Sequence, residues 1–315
     1  MLDVVTMGES MVLFVPQRAG LLRNAAVFDR SIGGAESNLA VGLARLGHKV
    51  GWASRLGNDE FGESILAFLR AEGVDVSAVI RDDDAPTAVF FKERRRAGSS
   101  RVFYYRAGSA ASRLSPAELP EDYIRGARCL HLTGITPALG PDCLAAVRRA
   151  MEVAREAGIP VSFDPNIRLK LWSVESARES LLGLLPLVDW LLVGHEEVEM
   201  LTGQRDPERG AGILLGRGPG TVVVKLGSAG ALAVTESEAV NAPAFPVEVV
   251  DTIGAGDAFD AGFISGCLRG WELGEAVRLG TILGALATTV PDDVDGTPTW
   301  AEIQKYFGGE ELTQR

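Results

Sequence analysis

The sequence predicts an α/β protein: a mostly parallel central sheet with helices on both faces, plus a small β appendage near the N-terminus. Three observations carry this. From residue 129 onward, short fully apolar runs such as TVVVKL alternate with amphipathic segments, as strands buried on both faces do. The first hundred residues instead hold alternating or β-branched runs joined by polar turns. The 315-residue chain is 46% hydrophobic and 23% charged, which suffices for one large core with an appendage.

Taken in order, MLDVVTMGES opens on a strand, with an acid at position 3 where a signal peptide would carry cations. The runs SMVLFVPQ (10–17), APTAVFFKE (85–93) and SRVFYYRAG (100–108) predict the appendage, and RRRAGSS between the last two reads as a hairpin turn. The expectation is a single domain spanning 1–315, with a lid formed from about 10–17 and 85–108. The strand CLHLTGI (129–135) then leads to a helix from Pro141 to Ala157. Leu144, Val147, Met151 and Ala154 share one face of it, Pro141 suits its first turn and Gly158 its stop.

The strand IPVSFD (159–164), a helix from Ser173 to about Leu185, the strand VDWLLV (188–193), a helix opening in GHEEVEML and the strand TVVVKL (221–226) continue the alternation. AFPVEVV reads as a last strand over 245–250. It feeds VDTIGAGDAFDAGF and a helix starting near Gly256, supported by Phe259, Gly262, Phe263, Gly266 and Cys267 at helical spacing.

A formal charge of −11 argues against a nucleic-acid partner, which would call for a broad positive face. The longest apolar stretch, LLGLLPLVDWLLV, is broken by Pro186 and Asp189, so no membrane span is expected. Cys129, Cys143 and Cys267 stand far apart in apolar surroundings, which fits reduced thiols and a cytoplasmic location.

VDTIGAGDAF carries the chemistry. Gly254-Ala255-Gly256 is poor in side chains, so backbone N–H groups lie open where a helix dipole also favours an anion. Asp257 beside that anion site either caps the helix or accepts a proton from a hydroxyl attacking phosphorus; local sequence leaves both open. Familiar alternatives fail on inspection. No GxxxxGK[ST] loop occurs, GxG is followed by Asp-Ala-Phe rather than completing GxGxxG, and no GxSxG or metal-spaced histidine set is present.

VDTIGAGDAFDAGF resembles the C-terminal signature of the ribokinase-like (PfkB) carbohydrate kinases. IGGAESNLAVGLARLG followed by SRLGNDEFG resembles their N-terminal one. The resemblance implies a ribokinase-like α/β fold with a β lid, ATP as donor with Mg2+, and room for a monovalent cation. It also implies Asp257 as catalytic base and Gly254, Ala255 and Gly256 as an anion hole.

The same resemblance assigns Gly34 and Asn38 to the sugar, and the DPNIR residues Asn166 and Arg168 to the phosphate and acceptor region near Asp164. Lys225, Gly227 and Gly230 of KLGSAGA fall to the nucleotide, together with Gly254 and Gly256. Glu197 would support the metal through water, although Gly194 stands where relatives commonly carry Asn. His195 reads as a polar helix-start residue.

The acceptor follows from charge. A sugar acid needs a cation, and Arg106 and Arg168 offer planar guanidinium groups. YYRAGSAAS, HLTGITPAL and FDPNIR most resemble the family's 2-keto-3-deoxygluconate kinases, implying Gly34, Tyr105, Arg106, Arg168 and Asp293 as sugar contacts and the C6 hydroxyl as acceptor. Phe90 or Phe91 stands where some relatives carry a tyrosine. Fructokinases of the family are the runner-up. A non-catalytic nucleotide or sugar sensor is the reading from another class, and the failed GxGxxG disfavours a dehydrogenase. A bare lid strand suggests a homo-oligomer paired lid to lid.

Overall fold

The computed structural model describes residues 1–96, 99–291 and 294–307. Its first five strands are β1 (Leu2–Met7), β2 (Met11–Pro16), β3 (Phe28–Gly33), β4 (Val50–Gly57) and β5 (Val79–Asp82). The hairpin β6 (Val89–Arg96) and β7 (Ser99–Tyr105) precedes β8 (Ala127–Thr133), β9 (Val161–Asp164), β10 (Trp190–Gly194), β11 (Thr221–Lys225), β12 (Ala231–Val234) and β13 (Ala239–Ala242). The helices are α1 (Ala35–Arg45), α2 (Glu60–Ala71), α3 (Glu121–Arg125), α4 (Pro141–Glu156) and α5 (Val174–Leu182). Then come α6 (His195–Thr202), α7 (Pro207–Leu215), α8 (Ala255–Leu268), α9 (Leu273–Ala287) and α10 (Trp300–Phe307).

The main sheet runs β13-β12-β11-β10-β9-β8-β1-β4-β5. Its strands from β11 to β5 pair in parallel, and β12 and β13 close one edge antiparallel. Successive residues in one strand serve opposite cores, which is why the strands read as unbroken apolar runs. Leu192 and Val223 join Leu39, Ile65, Phe263 and Leu279 from α1, α2, α8 and α9. Leu191, Val222 and Val224 join Ile124, Val147, Leu181, Val198 and Leu214 from α3 to α7. Helices α8 and α9 approach closely because glycines face the contact: a Cβ at Gly266 would lie 2.6 Å from Ala276 Cα, and one at Gly262 would lie 2.8 Å from Leu279 O.

A separate sheet, β3-β2-β6-β7, forms the appendage. It takes in Phe28–Gly33, which the sequence reading passed over, while 85–88 and 106–108 lie outside its strands. Val12, Leu13 and Phe14 of β2 pair in parallel with Val89, Phe90 and Phe91. The hairpin tip at 97–98 and the sugar candidate Asp293 lie outside the described residues.

One expected element is corrected. Residues 243–249 form no strand. Pro246 lacks an N–H for a ladder, and Val249 and Val250 stand more than half exposed. The backbone amides of Val250 and Asp251 both donate to Thr288 O instead, at 2.8 and 3.1 Å, so the glycine turn hangs from the end of α9 rather than from a strand.

Candidate active site

The glycine turn enters α8 through Gly254, whose φ of +76° and ψ of −11° lie in the left-handed region that a Cβ disfavours. The first amides of any α-helix lack intrahelical acceptors, so Gly256 and Asp257 present N–H groups at the positive end of the α8 dipole, while that of Ala255 makes a long bond to Thr252 O at 3.4 Å. Asp257 occupies the first turn, and Asn38 Nδ2 of α1 donates to its Oδ2 at 2.8 Å. Burial pushes the Asp257 carboxyl up to about 6, against the Asn38 hydrogen bond, while Asp164 raises it further and Arg168 and Lys225 lower it. The group is therefore a carboxylate near neutral pH whose proton affinity is matched to general-base work.

Asn38 is positioned by Gly34. A Cβ there would lie 2.4 Å from Glu9 O, so only glycine lets α1 start against the β1–β2 connection. Beside Asn38 on α1, Glu36 is fully buried and its Oε1 accepts from Thr133 and Thr136 at 2.8 and 3.0 Å. Burial pushes its carboxyl up to about 7.

Beneath the turn lies a network of acids around one ammonium. Lys225 Nζ, at the end of β11, stands 3.0 Å from both Asp164 Oδ2 and Asp260 Oδ1. Burial is the largest influence on Asp164 and opposes its ionisation, yet the Lys225 charge together with hydrogen bonds from Asp260 and Lys225 holds that carboxyl below its ordinary value. Asp260 is held well above its ordinary value by burial. Lys225, expected as a nucleotide contact, thus has its charge committed to two carboxylates. It is their counter-ion in this structure, because two buried acids without a cation would be prohibitively costly.

Asn166 follows Asp164 in the left-handed region at φ 39°, and its backbone N–H donates to Asp164 Oδ1 at 3.0 Å. Glu197 clamps the same turn from α6. Its Oε1 accepts from Ile167 N at 2.6 Å and its Oε2 from Gly194 N at 2.8 Å, and burial pushes its carboxyl up to about 7. The glycine at 194 supplies its backbone N–H where a side chain was expected to act. His195 is exposed and contacts Arg205 O at 2.9 Å. Among the described residues no three acidic, His or Cys side chains converge to hold a metal ion. A divalent cation here fits only as a guest of phosphate oxygens and water, with Asp164 and Glu197 as nearby carboxylates.

A cleft of about 910 Å³ opens between the second sheet and the DPNIR turn, lined by Tyr104, Arg106, Ile167, Arg168 and Lys170 among others. Arg168 is exposed and pairs with no acid among the described residues, and its charge is felt at Asp257. Arg106 is nine-tenths buried, forms an ion pair with the buried Glu9, and lies over the Tyr104 ring at 5.4 Å. Lys170 covers the same ring at 5.3 Å.

Tyr105, the expected sugar contact, does not line the cleft, whereas Tyr104 does. Tyr105 is 65% exposed and meets Phe91 edge-on, on the face away from the cleft. Tyr104 stacks on Phe90 at 5.6 Å on the cleft side. Tyr104 and Tyr105 point to opposite faces because successive residues of a strand alternate.

Gly227 and Gly230 lie in the β11–β12 hairpin. A Cβ at Gly230, where φ is +95°, would stand 2.1 Å from Ala242 O.

Residues 1–300 match the pfkB family carbohydrate kinase profile. The chain belongs to the PfkB family of carbohydrate kinases. This PfkB kinase is 43% identical over 312 residues to the 2-dehydro-3-deoxygluconokinase of Bacillus subtilis strain 168, with 98% of this chain and 96% of the relative covered. It is 34% identical to probable fructokinase-4 of Arabidopsis thaliana, covering 97% of each. In three dimensions it is similar to a putative ribokinase II from E. coli solved with ATP and Mg2+, at TM-score 0.91 and 27% identity, covering 98% of this chain and 100% of that one.

Sequence reasoning missed several residues of this PfkB kinase's site: Glu9, Lys92 and Asp260. Asp260 had a signal, since a lone acid three residues past Asp257 on an apolar helix needs a buried cation. Glu9 and Lys92 had none, because their partners are 97 and 159 residues away in sequence by position of Arg106 and Asp251.

Proposed function

We propose that this PfkB kinase transfers the γ-phosphoryl group of ATP to the C6 hydroxyl of 2-keto-3-deoxygluconate, the same compound that the B. subtilis relative's name calls 2-dehydro-3-deoxygluconate. The observation that carries the reading is Arg168, a guanidinium without an acidic partner among the described residues, on the wall of a cleft whose field reaches Asp257. Arg106 and Glu9 cancel one another, so Arg168 and Lys170 remain on the cleft wall as cations without an acidic partner among the described residues. That excess of positive charge suits an anionic sugar acid.

In this mechanism the acid end of the sugar docks at Arg168 and Arg106, Tyr104 covers its carbon face, and Gly34 and Asn38 meet its hydroxyls. Asp257, ionised, takes the proton from the C6 hydroxyl as that oxygen attacks phosphorus. The backbone amides of Gly254, Ala255 and Gly256 face the equatorial oxygens of the phosphoryl group, where negative charge must be held as it moves. Asn166, Arg168, Gly227 and Gly230 flank the nucleotide, and the second sheet closes over the cleft as a lid that excludes water. Asp164 and Glu197 would be the carboxylates nearest a bound Mg2+, which would neutralise charge on the ATP phosphates.

The Glu9–Arg106 ion pair favours a second reading, since it leaves Arg106 with reduced charge for a ligand: phosphorylation of a neutral ketohexose such as fructose. The outer face of the lid, with the exposed Tyr105 against the half-buried Phe91, supports self-association through that sheet. ADP release measured with ATP, Mg2+ and a panel of sugars and sugar acids tests the assignment. A kcat/KM for 2-keto-3-deoxygluconate above that for fructose is the expected result; the reverse order transfers the assignment to the ketohexose, and no ADP with any sugar overturns both.

A further inference from the structure

Lys92 lies on β6 of the second sheet, on the cleft-facing side it shares with Phe90, and is only 5% exposed. Its ammonium forms an ion pair with Oδ2 of Asp251, the residue that opens the glycine turn. Asp251 is bound into the turn at both ends: its Oδ1 accepts from Ile253 N at 3.3 Å, and its backbone N–H donates to Thr288 O at 3.1 Å. Thr288 caps the C-terminus of α9, where the helix carries partial negative charge. A half-buried carboxylate set beside a helix C-terminus is stabilised by a cation. Dissolved K+ or Na+ could serve, but the ammonium of the chain's own Lys92 already stands on the carboxylate.

We propose that Lys92 is the fixed cation of the phosphate-binding turn, carried on the lid. It holds Asp251, and through Asp251 it sets the backbone of residues 251–257, so the amides that face the phosphoryl group are in register only when the lid stands over the cleft. Lys92 is thus a positioning residue: it acts through Asp251 and the turn. Phosphoryl transfer then needs no added monovalent cation. The inference rests on the reading of residues 254–257 as the phosphate-binding turn.

Chemical rescue and hydrogen exchange test it together, using Lys92→Ala, Lys92→Met (which keeps the apolar stem), Asp251→Asn, and the double variant Lys92→Met/Asp251→Asn. Wild-type turnover should change by less than about twofold between a tetramethylammonium buffer and one containing K+ or NH4+. Lys92→Ala should lose roughly tenfold or more in kcat in the first buffer, the order expected for loss of a buried charged hydrogen bond, and recover part of it in ammonium. The double variant should lose no more than the worse single one, since the two side chains act as a unit. In the ligand-free protein, Lys92→Met should speed amide exchange at 251–257 and leave β1 and β8 unchanged; this arm reads the turn even if the sugar assignment fails. Wild-type kcat and ATP KM in Lys92→Ala, a wild-type requirement for K+, or unaltered exchange at 251–257 in Lys92→Met each overturns the proposal.

Discussion

Asn38 and Asp257 are 219 positions apart in sequence and 2.8 Å apart in space, the amide nitrogen of one donating to the carboxylate of the other. The bond joins the first turns of α1 and α8, and it holds the ionised form of Asp257 in surroundings that otherwise favour the neutral acid. That opposition sets the pH behaviour expected of the enzyme.

Turnover requires Asp257 ionised, so kcat should fall as pH drops through about 6, the value to which burial pushes this carboxyl. Asn38→Ala removes the bond that lowers it, and the acid limb of the kcat profile should move to higher pH. A limb that stays in place, or moves down, would show that Asn38 does not set the ionisation of the base.

The same group affects stability with a definite sign. Its folded value, about 6, lies above the ordinary 3.8, so the native state favours the protonated form and is penalised as pH rises from the lower value through the higher one. Asp257→Asn carries no such charge. Its melting temperature relative to wild type should therefore rise between about pH 4 and pH 7, by a few degrees for each kcal/mol or so of relieved penalty. Calorimetry at both pH values gives the difference directly.

Tyr104 and Tyr105 separate the two faces of the lid. Tyr104→Ala should raise the KM for the sugar by roughly tenfold, the order expected for loss of an aromatic contact with a ligand and with Arg106. Tyr105→Ala, on the outer face, should leave that KM within about twofold. Equal effects from the two variants would contradict the strand register at the cleft.

The α8–α9 contact should tolerate no added atoms. Gly266→Ala would place a Cβ 2.6 Å from Ala276 Cα, a backbone-borne atom that does not yield by rotation. A loss of roughly 1–3 kcal/mol is expected in chemical denaturation, as for overpacked cores. The effect on KM for either substrate should be small, because the contact lies more than two helical turns beyond Asp257.

Much of this was legible in the residues themselves. The doubly apolar runs gave β8 to β11 because strands covered on both faces are mostly apolar, and Pro141 and Gly158 bounded α4 to within a residue. The run before Asp251 misled: its valines have strand propensity, but propensity does not supply a neighbouring strand, and none pairs with it. In the site, motif residues declared themselves because a glycine turn before a helix has few uses. Residues acting on those motifs stayed hidden. Glu9 under Arg106, Lys92 on Asp251 and Lys225 between Asp164 and Asp260 are long-range ion pairs, and nothing local in a sequence states which charges the fold will bring together.

The measurement closest to the central claim is a paired one on Asp257→Asn: ligand affinity by calorimetric titration and kcat by ADP release, in the same preparation. Affinities for ATP and 2-keto-3-deoxygluconate close to wild type, with kcat lower by at least about a hundredfold, are the predicted result. Turnover near the wild-type rate would contradict the assignment of this carboxylate as the base.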